Sequence, residues 1–412
     1  MRNATTEVDK KYFAFVTLAI GFSLTVLPAG RLSAQATAPQ RPAYNPTNPT
    51  PAAPEALPSV SVGVDHRVTF RIHAPEARTV TINGDFLLGA PPAALTKGDD
   101  GTWTYTSPPL TPDSYTYNFM VDGVGVLDAS NQNFKDTPNS LFNFFDMPDP
   151  STDFMALKDV PHGRVEAVIY HSDSLNMERR VHVYLPPNYQ YIHAKIHVLY
   201  LLHGVGDNDI SWTSAGKINL ILDNLYATGK IKNMIVVMPA GHVPGVPRRA
   251  MQPPVPGGDP FSKDFLDDLM PYIAKTYNVS TQRDDTAIAG FSMGGAQALN
   301  LALWHPELFG YVFPMSTGYF PASIKQMEAD DKAVLQRVAS HPFKLMMTER
   351  GKDDTLIRAN DQATLHMFDD FKIPHRDVTL PGIHSFVPVR RFLYMVFPLM
   401  FQDRVPTTAP ER

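Results

Sequence analysis

A serine flanked by glycines is the strongest chemical signal in the sequence. Ser292 lies in Gly290-Phe291-Ser292-Met293-Gly294, directly after the apolar run TAIA and directly before the helical run AQALNLALW. A G-x-S-x-G pattern between a strand and a helix is typical of a nucleophile elbow, a strained turn that exposes the serine hydroxyl. Small residues are needed because the helix must approach the turn closely. The pattern therefore predicts that Ser292 is a nucleophile.

A serine hydroxyl is a weak nucleophile without a base, so a histidine is expected downstream in the chain order Ser, acid, His. The histidines that follow Ser292 are His305, His341, His366, His375 and His384. The first four lie in or next to predicted helices and strands. His384 follows the last predicted strand, in Leu380-Pro381-Gly382-Ile383-His384. We therefore predict that His384 is the base.

The acid that orients the histidine should lie between the two, at the end of another strand. The run KLMMTERG leads into Gly351-Lys352-Asp353-Asp354, which has two adjacent carboxylates. Periodicity alone does not choose between Asp353 and Asp354.

Two backbone amides are needed to stabilise the oxyanion of an acyl-transfer reaction. One is the amide of Met293, directly after the nucleophile. The other should follow an earlier central strand, where Leu202-His203-Gly204-Val205-Gly206 forms a glycine-containing turn. We predict the Val205 amide as this second donor, and a structural role for His203.

The segment 160–405 that carries these residues alternates between buried strands and helices. An antiparallel pair of strands is predicted at 163–189, and apolar strands separated by helices then predict a parallel sheet covered on both faces. This order is typical of an α/β-hydrolase domain. The predicted strands are KIHVLYLLHG, NMIVVMPAG, TAIAGF, KLMMTERG and HRDVTLPG; the predicted helices are INLILDNLYATG, SKDFLDDLMPYIAKTY, GGAQALNLALWHPELF and a segment starting near Leu356.

In the preceding segment, 59–146, the hydrophobic pattern repeats every two residues, as it does in β-strands. Short alternating runs such as RVTFRIHAP and SYTYNFMVDG, bounded by turn residues, predict a small all-β sandwich. Trp103, Tyr115 and Tyr117 could stack on a sugar, but aromatic residues at alternating positions usually face the core, and we predict that role for them.

The α/β segment resembles the esterase D-type branch of the α/β-hydrolases, which includes the feruloyl and acetyl-xylan esterases of carbohydrate esterase family 1. The resemblance runs through Arg180–Pro187, the turn after Leu202, the elbow, and the acid and histidine loops. The family's acid motif G-x-x-D-x-L matches Gly351, Asp354 and Leu356, and so implies Asp354 as the acid.

The family's histidine loop resembles G-G-H-x-W-x-x-W-R. This chain keeps the histidine and the arginine but has Phe386 and Val389 at the tryptophan positions. The resemblance implies that Phe386 and Arg390 bind substrate. Because both tryptophans are replaced, the usual preference for a sugar or an aromatic acyl group does not carry over directly.

The all-β segment resembles the early-set immunoglobulin-like module that precedes many polysaccharide-active enzymes and some esterases, often grouped with glycogen-binding modules. The runs that carry this resemblance are F70-R-I-H-A-P75, V80-T-I-N-G-D-F86, D100-G-T-W103 and L110-T-P-D-S-Y-T-Y117. The expected fold is thus an α/β-hydrolase domain preceded by a small immunoglobulin-like sandwich.

The N-terminus has the pattern of a signal peptide. Basic residues precede the apolar run FAFVTLAIGFSLTVL, and Ala34-Gln35-Ala36 is a small-residue cleavage site. We expect residues 1–36 to be a signal peptide, 37–58 to be a proline-rich linker, and the protein to be secreted or periplasmic. A membrane contact is expected only if the apolar segment is not cleaved.

Composition excludes several classes of site. The 412 residues include no cysteine, so disulfides, thiol nucleophiles and cysteine zinc sites are ruled out. A net charge of −5 gives no reason to expect nucleic acid as a partner. There is no P-loop, dinucleotide fingerprint or H-E-x-x-H motif, and we expect neither a cofactor nor a metal.

A second proline-rich segment, 242–260, contains six of the 38 prolines and the pair Arg248 and Arg249. It follows a strand at the carboxyl edge of the predicted sheet, where ligands bind in open α/β folds. We expect it to form a wall of the substrate pocket, and the arginine pair to be solvated.

The resemblance implies a serine esterase acting on feruloyl or acetyl groups of plant polysaccharide or oligosaccharide. Two other reactions use the same residues: hydrolysis of an enterochelin-like siderophore ester, and acyl transfer of the antigen 85 type. A carbohydrate-binding protein with a decayed hydrolase domain is disfavoured by three candidate residues in the expected order. The sequence does not indicate the oligomeric state.

Overall fold

The computed structural model describes residues 57–137, 141–246 and 258–402. The predicted signal peptide, nearly all of the predicted linker, and most of the proline-rich segment 242–260 with Arg248 and Arg249 lie outside these ranges. The described residues all belong to one compact unit, Leu57–Arg412. They divide by secondary structure into an N-terminal β region (60–146) and an α/β region (164–402).

The N-terminal β region has two antiparallel sheets. The first has the strand order β1-β2-β6-β5, and the second has the order β4-β3-β7-β10-β9, with β8 also paired to β7. The strands are β1 (Val60–Val62), β2 (Val68–His73), β3 (Val80–Gly84), β4 (Ala93–Ala94), β5 (Thr96–Lys97), β6 (Thr102–Thr106), β7 (Ser114–Val121), β8 (Val124–Val126), β9 (Phe134–Asp136) and β10 (Leu141–Asp146).

Side chains from both sheets form one hydrophobic core, which shows that the sheets pack face to face. Phe70 of β2 lies at its centre, with its ring centroid 5.1 Å from that of Tyr117 of β7 and 5.3 Å from that of Phe145 of β10. Trp103 and Tyr115 are also buried, and Trp103 Nε1 donates to the carbonyl of Ala74. Trp103, Tyr115 and Tyr117 are therefore core residues, as predicted, and do not form an exposed surface for stacking on a sugar.

The α/β region is built on one eight-stranded sheet with the order β11-β12-β14-β13-β15-β16-β17-β18. β11 and β12 are antiparallel to their neighbours, and the remaining strands run parallel. The strands are β11 (Arg164–Ser172), β12 (Met177–Leu185), β13 (His197–Leu202), β14 (Met234–Pro239), β15 (Thr286–Phe291), β16 (Tyr311–Met315), β17 (Leu345–Gly351) and β18 (Arg376–Leu380).

Helices cover both faces of this sheet. Side chains of β13 point alternately to two separate cores, with Tyr200 in one and Leu199 and Leu201 in the other. The helices are α1 (Ile218–Ala227), α2 (Pro260–Lys263), α3 (Met270–Thr276), α4 (Met293–Trp304), α5 (Pro321–Asp330), α6 (Lys332–Ser340), α7 (Arg358–Asp370) and α8 (Phe386–Val396). No helix among the described residues is long and apolar enough to cross a membrane.

The predicted elements are present, with three differences. The predicted helix SKDFLDDLMPYIAKTY is interrupted by a π-helical stretch at Asp264–Leu269 between α2 and α3. The predicted helix after Ser292 ends at Trp304, and the strand β16 that follows was not predicted. Helices α5, α6 and α8 were not predicted either.

Candidate active site

Ser292 forms the tight turn between β15 and α4. Its backbone has φ 55° and ψ −114°, a conformation that costs a non-glycine residue about 1–3 kcal/mol. The turn is so close that a Cβ on Gly290 would lie 2.1 Å from the carbonyl oxygen of Gly294, and a Cβ on Gly294 would lie 2.4 Å from that of Leu202. Glycine is therefore required at both positions, and the first turn of α4 packs directly against the end of β13.

The strained backbone is held from the next strand. Ser292 N donates to the carbonyl of Met315 at 2.9 Å, and the Ser292 carbonyl accepts a hydrogen bond from Thr317 Oγ1 at 2.8 Å. Thr317 also packs against Gly295, where an added Cβ would lie 2.6 Å from its methyl group. Sequence reasoning did not identify Thr317, since it lies in no motif and its partner is 25 residues away.

Ser292, His384 and Asp354 form a continuous hydrogen-bonded chain. His384 Nε2 lies 2.9 Å from Ser292 Oγ, and His384 Nδ1 lies 2.7 Å from Asp354 Oδ2. The Asp354 side chain is buried, and its Oδ1 accepts from the backbone N–H of Leu356 at 3.1 Å. Asp353, in contrast, is exposed. The geometry thus distinguishes the two carboxylates that periodicity left open.

The sheet explains why these three residues meet. Ser292 follows β15, Asp354 follows β17, and His384 follows β18. These strands run parallel in one sheet, so their carboxyl ends lie at the same edge. The ring of Phe291 packs against the imidazole of His384, with 4.8 Å between centroids, and limits the orientations that the imidazole can adopt.

The turn after β13, residues 203–207, lies beside the elbow, because Leu202 pairs with Gly290 in the sheet. Val205, predicted to offer its amide, lies in this turn and is 38% exposed. Met293, predicted as the other donor, is the first residue of α4. The first N–H groups of that helix have no partner within it, and the helix dipole makes this end favourable for negative charge.

His203 holds this turn through two backbone contacts. Its Nε2 accepts from the N–H of Gly241 at 2.8 Å, and its Nδ1 lies 2.8 Å from the carbonyl of Gly204. Because Nε2 is an acceptor, the proton is on Nδ1, which donates to Gly204. Burial lowers the pKa of His203 to about 4, so the ring is neutral near neutral pH. These contacts fit the structural role predicted for His203.

The structure does not present Phe386 and Arg390 to a ligand. Phe386 is 3% exposed and packs edge-on against Trp212, with 5.2 Å between ring centroids. Arg390 is 1% exposed; its Nη2 lies 2.7 Å from Asp113 Oδ1 in the N-terminal β region, and its Nη1 donates to the carbonyl of Ala215. The substrate-binding role expected for both residues is corrected accordingly: Phe386 belongs to a hydrophobic core of the α/β region, and Arg390 joins the two regions.

A second buried carboxyl group lies near Asp354. Glu349 of β17 is 1% exposed, and its Oε2 lies 3.5 Å from Ser316 Oγ. Burial, together with the negative charges of Asp354 and Asp361, raises the pKa of Glu349 to about 8. Glu349 is therefore protonated at neutral pH. Its position inside a buried strand gave no signal in the sequence.

Across the described ranges, no cluster of three or more His, Asp or Glu side chains has the arrangement of a metal site. A serine hydroxyl bonded to a histidine, which is bonded in turn to a buried carboxylate, is the arrangement used for nucleophilic attack on a carbonyl carbon.

Comparison with known proteins places residues 172–386 in a family. They match the family model Esterase, described as "Putative esterase". An endo-1,4-beta-xylanase/feruloyl esterase of Xylanibacter ruminicola is 34% identical over 267 residues, which cover 63% of this chain and 36% of that protein. The chain thus spans little more than a third of this relative's length.

Solved structures show the same fold. A ferulic acid esterase of carbohydrate esterase family 1 from Anaeromyces mucronatus is 23% identical, with a TM-score of 0.50 over 62% of this chain and 96% of that one. An enterobactin esterase from Shigella flexneri, in the presence of 2,3-dihydroxy-N-benzoyl-serine, is 18% identical, with a TM-score of 0.63 over 81% of this chain and 92% of that one.

Proposed function

The chain belongs to the Esterase family, and from this premise we propose that it is an exported serine esterase that hydrolyses carboxylic esters. One observation carries the proposal: the hydrogen-bonded chain from Ser292 through His384 to Asp354, with Ser292 in the strained turn of a nucleophile elbow. Such a turn is costly to maintain, and strain of this kind is concentrated at functional sites.

The residues take the following roles in the proposed mechanism. Ser292 Oγ attacks the ester carbonyl carbon while His384 Nε2 accepts its proton, and Asp354 holds the imidazole and stabilises the imidazolium. The amides of Met293 and Val205 donate to the oxyanion. The imidazolium then protonates the departing alcohol and leaves an acyl-enzyme, which water hydrolyses with His384 as base.

We propose a feruloyl or acetyl ester on plant polysaccharide or oligosaccharide as the substrate. Support comes from the 34% identical relative, whose name combines a xylanase with a feruloyl esterase. Phe386, which stands at a tryptophan position of the family's histidine loop, is buried in this chain, so the choice of acyl group rests on the relative and not on this residue.

A siderophore ester is the second candidate. The enterobactin esterase structure aligns with 81% of this chain, more than residues 160–405 alone provide, so the similarity extends into the N-terminal β region.

Acyl transfer to a sugar, as in antigen 85-type enzymes, uses the same residues and differs only in the acceptor.

The remaining parts of the proposal concern residues 1–146. We propose an early-set immunoglobulin-like fold for segment 59–146, on the strength of two packed antiparallel sheets around an aromatic core. Export to the periplasm or the medium, with residues 1–36 removed and 37–58 as a linker, rests on the signal-peptide pattern. Membrane attachment would follow only if that segment were retained.

Replacement of Ser292 by alanine tests the proposal. With a 4-nitrophenyl ester as substrate, Ser292→Ala should lower kcat by roughly 10⁴–10⁶-fold. Ser340→Ala is a suitable control, since Ser340 is an exposed residue at the end of α6. Hydrolysis by Ser292→Ala at the wild-type rate would refute the mechanism.

A substrate panel separates the candidate reactions. The wild-type enzyme is assayed with feruloyl and acetyl xylo-oligosaccharides and with a catecholate siderophore ester, each with and without a carbohydrate acceptor. We expect the highest kcat/KM for an acylated xylo-oligosaccharide. Preference for the siderophore ester, or a transferred acyl group on the acceptor, would favour one of the alternatives.

A further inference from the structure

A lysine of the N-terminal β region reaches the turn that carries Val205. Lys135 lies in β9, the edge strand of the second sheet, and its ammonium forms an ion pair with Asp207, whose side chain is 3% exposed. The same ammonium lies 5.0 Å from the ring centroid of Phe386, the first residue of α8. Lys135 therefore contacts both the turn after β13 and the helix that follows His384.

The position of Asp207 is linked to the direction of the Val205 amide. The backbone N–H of Asp207 donates to the carbonyl of Gly204 at 3.0 Å, and His203 donates to the same carbonyl. The carbonyl of Gly204 and the N–H of Val205 belong to one planar trans peptide, so they point in opposite directions. The donors that hold the Gly204 carbonyl therefore also direct the Val205 N–H.

Two carboxylates follow Val205 in this segment, and they are neutralised differently. Asp209 is paired within the α/β region, with Arg180 Nε at 2.6 Å and His182 Nδ1 at 2.8 Å. Asp207 pairs instead with Lys135 of the N-terminal β region, the one salt bridge that it makes among the described residues. A buried carboxylate that loses its partner is strongly destabilised, and it relaxes by moving toward water.

We propose that Lys135 is a positioning residue for the oxyanion donor: by pairing with Asp207, it fixes the turn that directs the Val205 amide toward the ester oxyanion, so that the N-terminal β region completes the active site. This inference rests on the proposed esterase function. It predicts that the loss of Lys135 affects the transition state, in which the oxyanion forms, more than it affects substrate binding.

A second lysine provides a matched control. Lys217 of the α/β region pairs with Asp146 of the N-terminal β region at 2.9 Å, and its ammonium lies 5.1 Å from the ring centroid of Phe144. It thus makes the same kind of contact between the same two regions, a lysine with a carboxylate and a phenylalanine ring. Neither Asp146 nor Phe144 lies in the turn after β13.

The test compares Lys135→Met and Lys217→Met, which keep most of the aliphatic stem and remove the charge. For each we would measure kcat and KM with a 4-nitrophenyl ester, and the Tm. We expect Lys135→Met to lower kcat by about 10-fold or more, with KM changed less than about threefold, since direct removal of an oxyanion donor costs roughly 10²–10³-fold. Lys217→Met should keep kcat within about twofold of wild type while lowering Tm.

Asp207→Asn and the double variant Lys135→Met/Asp207→Asn complete a double-mutant cycle. The double variant lacks both charges, so it leaves no buried charge unpaired. If Lys135 acts through Asp207, adding Lys135→Met to Asp207→Asn lowers kcat little further. Full additivity, equal kcat losses in Lys135→Met and Lys217→Met, or an unchanged kcat in Lys135→Met would each overturn the inference. If Lys135→Met fails to fold, Asp207→Asn carries the test: we expect it to lower kcat by about 10-fold or more, and an unchanged kcat in Asp207→Asn would overturn the inference.

These outcomes are distinct from a failure of the proposed function. An active wild-type enzyme with an unaffected Lys135→Met refutes only the positioning role. A wild-type protein that hydrolyses no ester refutes the esterase proposal, and the role of Lys135 with it.

Discussion

Arg390 of α8 and Asp113 of the N-terminal β region form a buried ion pair, with 2.7 Å between Arg390 Nη2 and Asp113 Oδ1. Arg391 Nη2 lies 2.7 Å from the other oxygen of the same carboxylate. Asp113 is fully buried. This one carboxylate pairs with two successive arginines of α8. Because α8 begins two residues after His384, this contact ties the histidine loop to the N-terminal β region.

The first prediction concerns the stability of this contact. Asp113→Ala should lower the free energy of unfolding by about 3–5 kcal/mol, because it leaves the buried Arg390 guanidinium without its carboxylate. Urea unfolding followed by circular dichroism measures the change. Asp65→Ala is the control: Asp65 pairs with Arg67 on the surface, with side chains 60% and 49% exposed, and its loss should cost less than about 1 kcal/mol. Similar losses in the two variants would contradict the assignment.

The second prediction separates the two adjacent carboxylates of the acid loop. Asp354→Asn should reduce kcat by roughly 10⁴-fold, because an amide no longer fixes the imidazole tautomer or stabilises the imidazolium. Asp353→Asn should leave kcat within about twofold of wild type, since Asp353 is exposed while Asp354 contacts His384 Nδ1. Steady-state kinetics on a 4-nitrophenyl ester measures both. Equal effects would show that the acid has been assigned to the wrong residue.

The third prediction concerns His203. Its ring connects Gly241 to Gly204, and so holds the turn of Val205. His203→Phe removes both hydrogen bonds and should lower kcat by about 10–100-fold with little change in KM, because a displaced donor stabilises the oxyanion less. His203→Asn, which keeps a donor and an acceptor, should recover part of the loss. His305→Ala, at the end of α4 and away from this turn, is the control; an equal fall in its kcat would argue against a specific role for His203.

The parts of the site that the sequence revealed are those with local signals. The elbow was recognisable because its glycines, strand and helix lie within a few residues of Ser292, and His384 because it follows the last strand. The two carboxylates at 353 and 354 are adjacent in sequence, so choosing one required a distance to His384. Strand β16 was missed because Pro314 lies within it, and proline is unusual inside a strand.

Contacts between distant segments could not be predicted in this way. Arg390 lies where the family's histidine loop has an arginine, but its partner Asp113 is 277 residues earlier in the chain. Lys135 and Asp207 are likewise joined only when the N-terminal β region packs on the α/β region. Such pairs leave no periodicity or motif, since they depend on packing rather than on local structure.

The last prediction concerns the pH dependence of stability, and it follows from Glu349. Its pKa rises from 4.5 to about 8 in the folded protein, chiefly through burial and then through the charges of Asp354 and Asp361. Between these two values the folded state keeps a proton that the unfolded state loses. The contribution of Glu349 to the free energy of unfolding therefore falls as the pH rises from 4.5 to 8, by up to about 1.4 kcal/mol per pH unit, and is constant outside that window.

Glu349→Gln removes this titration and keeps the shape of the protonated side chain. Relative to wild type, the variant should gain about 2–4 kcal/mol of stability between pH 5 and pH 8. Urea unfolding of both proteins at pH 5, 6.5 and 8 measures the gain. Glu307→Gln is the control, because the Glu307 side chain is 60% exposed. Parallel pH profiles for wild type and Glu349→Gln would mean that Glu349 ionises in the folded protein as readily as it does in the unfolded chain, and that water reaches this end of β17.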